Sequence, residues 1–332
     1  MKMRKDLAIL IGIYLIFSVL PIVFHGNLYI MNILIMCLIW GVVAASWDLI
    51  MGFAGIFTFA QVAFFIIGAY ASAILTSALG ISPWLGFPAG GLITAVIGVL
   101  VGLPCLRLKG AYIALVTFAV HMILVPFLKS DIGRAIGTGG PQGILSIAPL
   151  RFFGYTYSSM EPVPWFYTTF FISLIALLII YKIIHSKWGL AFIAVRDSEI
   201  FAKSIGINDF KYKLLVFGVS SFLTGMIGAL YGHYVGMLST RMLGLDRFLI
   251  LMVMLVLGGL GRFPGAVIGA LIPVFLSELL RPLEVYRLLI FGAMVTILVV
   301  AMPQGITGLF FPASGSSPIA RPARFILKKL RG

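Results

Sequence analysis

The sequence predicts an all-α protein, a polytopic membrane helix bundle of about ten transmembrane helices. Composition is the first reason: 61% of residues are hydrophobic and only 10% charged, with a mean hydropathy of +1.13. That leaves too little polar surface to cover a soluble domain. The second is length, because apolar runs able to cross roughly 30 Å of hydrocarbon as helix recur from Leu7 to Met302. The third is the pattern within the runs. A barrel strand alternates in polarity over about ten residues, and stretches such as FYTTFFISLIALLIIY do not.

Broken at glycine, proline or charge, the runs start near residues 7, 28, 54, 85, 110, 164, 213, 246, 264 and 285. The last three are divided only by the Gly258 to Pro264 turn and the RPLEVYR segment, so eight or nine spans is the alternative count. The first, LAILIGIYLIFSVLPIVF behind MKMRKD, reads as a retained anchor; it is too long for a signal peptide and lacks a small-residue cleavage site. In the ten-span arrangement one face collects roughly 17 of the 24 lysines and arginines, which predicts a multi-pass protein of the cell membrane with both termini cytoplasmic. The same asymmetry accounts for the net charge of +14 without nucleic acid, since the basic residues are scattered among loops. Residues 1–312 then form one transmembrane domain, with an external loop at about 129–164, a cytoplasmic loop at about 186–213, and a basic cytoplasmic tail over 313–332. Cys37 and Cys105 lie in or beside apolar segments and show no metal-ligand spacing with the histidines.

Two loops are long enough to carry function. The external one contains GTGGPQGI, and its glycines, Gly139 and Gly140 among them, either let the chain fold back on the bundle or form a solvated connector. The cytoplasmic one contains AVRDSEIFAKSIGINDFKYKLL. There Asp197 or Ser198 can cap a helix, Glu199 suits its positive end, and Gly206 can supply the left-handed residue that closes it. The result is about two turns, with Ile200, Phe201, Ser204 and Ile205 on one face and Lys203 on another. So short a helix is marginal without a partner. Either it lies on the membrane surface, or it is a knob for a groove of a separate protein, with the small Ala202 and Gly206 permitting close approach.

The segment RDSEIFAKSIGINDFKYKLLVFGVSSFLTGMIGALYGHYVG resembles the coupling loop and following helix of LivM-type permease subunits of branched-chain amino acid ABC importers. WDLIMGFAGIFTFAQVAFFIIGAYASAIL, LRLKGAYIALVTFAV, TGGPQGI and LVLGGLGRFPGAVIGALI resemble further blocks of that family, in the family's order. The resemblance implies an ABC importer permease that binds no cofactor of its own. ATP would be used by two ATPase subunits, beside a second LivH-like permease subunit and an extracytoplasmic substrate-binding protein. The chain contains no Gly-Lys dipeptide and hence no phosphate-binding loop of its own. Coupling to the ATPases would fall to Arg196, Glu199, Ile200, Phe201, Ala202, Ile205 and Gly206, although the general importer motif has Glu-Ala-Ala where this chain has Ile200, Phe201 and Ala202.

For the substrate path, spans that part and rejoin favour small residues and interrupted helices, and Gly52, Gly55, Thr58 and Gln61 form the best such segment of the first half. Gly258 and Gly261 repeat the glycine spacing late in the chain. Family members usually carry Gly-His in place of Ala60 and Gln61, so a proton relay is not expected here. The cargo implied is a branched-chain or other small aliphatic amino acid, with urea or short amides as the alternative. A secondary transporter, the rival class, should place ionisable groups in broken spans. Of the ionisable residues at membrane depth, Asp48 and Glu278 read as caps or pairs, and His121 and His233 as partners in interhelical hydrogen bonds.

Overall fold

A computed structural model describes residues 2–108, 110–152, 155–158, 161–281, 284–301 and 305–306. Thirteen α-helices form among these residues: α1 Lys2–Phe24, α2 Leu28–Asp48, α3 Gln61–Ala78, α4 Pro83–Cys105, α5 Ala111–Lys129, α6 Asp131–Ile136, α7 Pro162–Ile184, α8 Lys187–Asp197, α9 Glu199–Ser204, α10 Asp209–Val235, α11 Leu245–Gly258, α12 Gly265–Leu279 and α13 Glu284–Ala301. Seven of them are long and apolar enough to cross a bilayer: α1 to α5, α7 and α10. With α11, α12 and α13 they account for all ten expected apolar segments. α11 and α12 have 14 and 15 residues, which is about 21–23 Å of helix and less than the roughly 30 Å of a hydrocarbon core. The proposed tail over 313–332 lies outside the described residues.

One boundary departs from expectation. The third span, expected from residue 54, starts at Gln61. Before it, α2 runs into a π-helical turn at Leu49–Phe53, and residues 54–60 carry no helix. Gly55 at φ +70° takes the chain out of the helical path. The expected helix is therefore broken, and tertiary partners satisfy its freed backbone. Phe59 N–H donates to Thr117 Oγ1 at 2.9 Å, and the Thr58 carbonyl accepts from Trp47 Nε1 at 2.9 Å.

The bundle is built around α10, which packs closely against α3 and α4, while α2 packs against α7 and α12. Small residues permit this approach. A Cβ on Gly68 of α3 would strike the Gly225 carbonyl, and one on Gly228 of α10 the Phe65 carbonyl. Backbone against backbone brings many atoms into dispersion contact where burial from water offers no drive between helices.

The loop between α5 and α7 folds back on the bundle. Ser130 caps α6 by accepting from Gly133 N–H at 3.1 Å, and Thr138 Oγ1 donates to the Leu128 carbonyl at 2.8 Å. Ile144 and Leu238 exchange backbone bonds of 3.0 and 2.8 Å, which ties the loop to the segment after α10. A two-residue hairpin, β1 Arg151–Phe152 with β2 Tyr155–Thr156, is the only β pairing of strands among the described residues.

Candidate functional site

The opposite end of the bundle from that loop carries α8 and α9. Ser198 caps α9, its Oγ accepting from Phe201 N–H at 3.2 Å. The far end closes with Gly206 at φ +84°. Gly206 N–H bonds the Lys203 carbonyl at 3.0 Å and Ile207 N–H bonds the Ala202 carbonyl at 2.9 Å, which is the closing pattern that a left-handed residue permits. The capping residue, the two-turn length and the glycine stop are those expected from the sequence.

The faces of α9 are sharply divided. Ile200, Phe201 and Ile205 are 84%, 62% and 56% exposed, whereas Ala202 is fully buried. Ala202 therefore faces its own chain and seats the helix, which corrects its expected place as a close-approach residue toward a partner. Gly206 has only open space around the position of a Cβ, so its role is conformational. Glu199 is ion-paired with Lys213, and Lys203 pairs with Asp209 at 3.2 Å. These charges hold α9 to the start of α10 and leave the three apolar side chains as its outward face.

Arg196 also differs from expectation. It ends α8 and reaches inward, its Nη1 donating to the Gly52 carbonyl at 2.8 Å while Nε donates to Asp197 at 3.0 Å. Gly55 is packed directly on the Arg196 side chain, and a Cβ on Gly261 would lie 3.2 Å from Nη1. Asp48, fully buried, accepts from Gly261 N–H at 2.7 Å. A Cβ on Gly52 would collide with both the Asp48 carboxylate and Gly261 N. Thus Gly52 and Gly55 meet Gly261, far along the chain, beside Arg196, while Gly258 packs within the α11–α12 turn against Gly265 and Ala266.

Thr58 and Gln61 lie deeper. Both are buried. Gln61 Nε2 donates to Ser220 Oγ at 3.2 Å and to Thr224 Oγ1, and Ser220 Oγ donates to the Ser46 carbonyl at 2.6 Å. Gln61 Oε1 and Ser46 Oγ have no hydrogen-bond partner among the described residues. Beside this polar ladder stands an aromatic cluster: Phe59 meets Phe57 and Phe248 with ring centroids 5.0 Å apart in each case, and Phe57 is 45% exposed. At the other end Gly139 and Gly140 have φ +74° and +62° and belong to the folded-back loop, remote in the chain's path from α9.

Among the described residues neither interior histidine belongs to a group that could hold a metal ion. His233 bonds Ser72 Oγ at 3.0 Å and the Ala148 carbonyl at 2.9 Å, and His121 bonds the Leu243 carbonyl at 3.1 Å. Glu278 pairs with Arg281 at 3.0 Å. Sequence reasoning missed Ser46, Ser220 and Thr224, because small hydroxyl residues on apolar helices give no signal until three helices are superposed. The Asp48 to Gly261 bond had a faint one, a carboxylate where a span ends.

The family model for the branched-chain amino acid transport system / permease component matches residues 29–301. The chain is 27% identical over 302 residues to the high-affinity branched-chain amino acid transport system permease protein LivM of Salmonella typhimurium, covering 85% of this chain and 70% of that one. It is also 26% identical over 292 residues to the corresponding LivH of the same organism, covering 81% and 91%. A probable LivM of Methanocaldococcus jannaschii is 23% identical over 231 residues, covering 66% and 63%. No solved structure matches significantly. With the family's match spanning most of the ten apolar segments, the chain belongs to the branched-chain amino acid transport system / permease component family.

Proposed function

We propose that this permease serves an ATP-driven importer in the inner membrane, with α9 as its coupling helix on the cytoplasmic side. The observation that carries this is the outward face of α9: three large apolar side chains exposed on a helix that is itself firmly capped and seated. An apolar knob held rigid on a charged loop fits a groove of a partner. The partners are two ATPase subunits, which use the ATP, a second LivH-like permease and an extracytoplasmic binding protein. The permease chain itself holds no cofactor, both termini are cytoplasmic, and the loop around Gly139 and Gly140 faces the binding protein. The substrate passes the broken span at Gly52, Gly55, Thr58 and Gln61. Its cargo is a branched-chain or other small aliphatic amino acid, in keeping with the names of its relatives and with spans that present few ionisable groups.

The test uses the whole transporter. Phe201→Asp should lower recovery of the ATPase subunits with a tagged permease at least tenfold, since a central aromatic anchor is worth about 2 kcal/mol or more. Full recovery with that variant would remove α9 as the docking element. Uptake should be competed by leucine or valine; competition by urea and not by leucine would reassign the cargo while leaving the transporter class in place.

A further inference from the structure

Arg196, Asp48 and the two glycine turns meet at one junction. The last carbonyls of a helix lack intrahelical donors and form the negative end of its dipole. The Gly52 carbonyl, at the broken end of α2, is such a group, and the Arg196 guanidinium caps it at 2.8 Å. On the other side of the same guanidinium lies the α11–α12 turn, held through Gly261 N–H by the Asp48 carboxylate at 2.7 Å. The packing leaves no slack. A Cβ at Gly52 or Gly55 would collide with the assembly and one at Gly261 would crowd Arg196. Arg196 stands two residues before Ser198, the cap of α9, so no flexible link separates the exposed knob from this junction.

We propose that Arg196 is a positioning residue of the transport cycle, a clasp that joins α9 to the broken end of α2 and to the α11–α12 turn. A force applied to Ile200, Phe201 and Ile205 passes through α8 into three span ends at once. Without the clasp the loop would yield and the spans would stay in place. The inference rests on the reading of α9 as the ATPase-docking element, and it assigns to Arg196 a role inside the permease instead of at the partner's surface. Arginine suits the task because its planar fork serves the Gly52 carbonyl and the Asp197 carboxylate together, whereas lysine offers a point charge.

The experiment is carried out on the assembled transporter with its binding protein, reconstituted in liposomes. The quantity read is substrate moved per ATP hydrolysed, beside ATPase-subunit recovery. With R196Q the ATPase subunits are recovered as in wild type and hydrolysis continues, while transport per ATP falls about tenfold, a change typical of lost coupling between sites. R196K, keeping the charge and one donor, falls by less. D48N, of the same shape but a weaker acceptor for the Gly261 N–H, also lowers the ratio, and it decides the matter if R196Q does not accumulate. A wild-type ratio in R196Q, or in D48N where that variant decides, overturns the proposal. Loss of the ATPase subunits in R196Q overturns it as well, by placing Arg196 on the docking face. Failure of the docking reading is seen separately, as retention of ATPase subunits by Phe201→Asp.

Discussion

At Gly206 a single φ angle decides whether α9 can end where it does. A residue with a β-branched side chain at φ +84° carries a cost of about 1–3 kcal/mol, and Gly206→Val should unravel the last turn of α9. Since the position of a Cβ is open to solvent, that cost comes from the backbone alone within the permease. Recovery of ATPase subunits and substrate-stimulated hydrolysis should both fall, at normal expression. Lys203→Ala should stay near wild type: its pair with Asp209 is 3.2 Å long but its side chain is 59% exposed, and such surface pairs contribute about 0–1 kcal/mol. Equal behaviour of the two variants would show that α9 tolerates an altered end.

Among the elements, the contact of α3 with α10 is the least forgiving. Gly68→Ala would drive a methyl group into the Gly225 carbonyl, and backbone atoms cannot rotate aside. We expect a loss of about 1–3 kcal/mol, the usual cost of overpacking, seen as a lowered midpoint of thermal unfolding of the detergent-purified permease. Gly12→Ala, at a site of α1 with nothing within reach of a new Cβ, is the matching control and should not lower the midpoint, since alanine favours helix over glycine. An equal midpoint for Gly68→Ala would mean that α3 and α10 slide past one another freely. The tight unit of α3, α4 and α10 contrasts with the broken passage before α3, where irregular backbone is carried by side chains and aromatic rings.

For the whole molecule the testable quantity is sidedness. The proposed orientation puts Ile200, 84% exposed, on the cytoplasmic side and Ser158 on the outer side. Single cysteines at these positions, in a permease lacking the buried Cys37 and Cys105, should react with impermeant thiol reagents from opposite sides of the membrane. Reaction of both from one side would overturn the orientation. The connectivity supports the expectation, because α7 runs between the folded-back loop and α8 and so separates the two ends of the bundle.

The sequence by itself determined the class, the ten apolar segments and the design of α9, because each rests on local rules: hydrocarbon length, a serine cap, a glycine stop. It also singled out Gly52 and Gly55 as small residues of an interrupted span, and Gly258 and Gly261 as their counterpart late in the chain. Only the tertiary structure decided what those glycines do, that Arg196 turns inward to the Gly52 carbonyl, that Ala202 is buried beneath α9, and that the third span begins at Gln61. The reason is the range of the interactions involved. A helix cap is settled within four residues, whereas the bond from Arg196 to Gly52 spans 144 positions and that from Asp48 to Gly261 spans 213, and such partners exist only once the helices have packed.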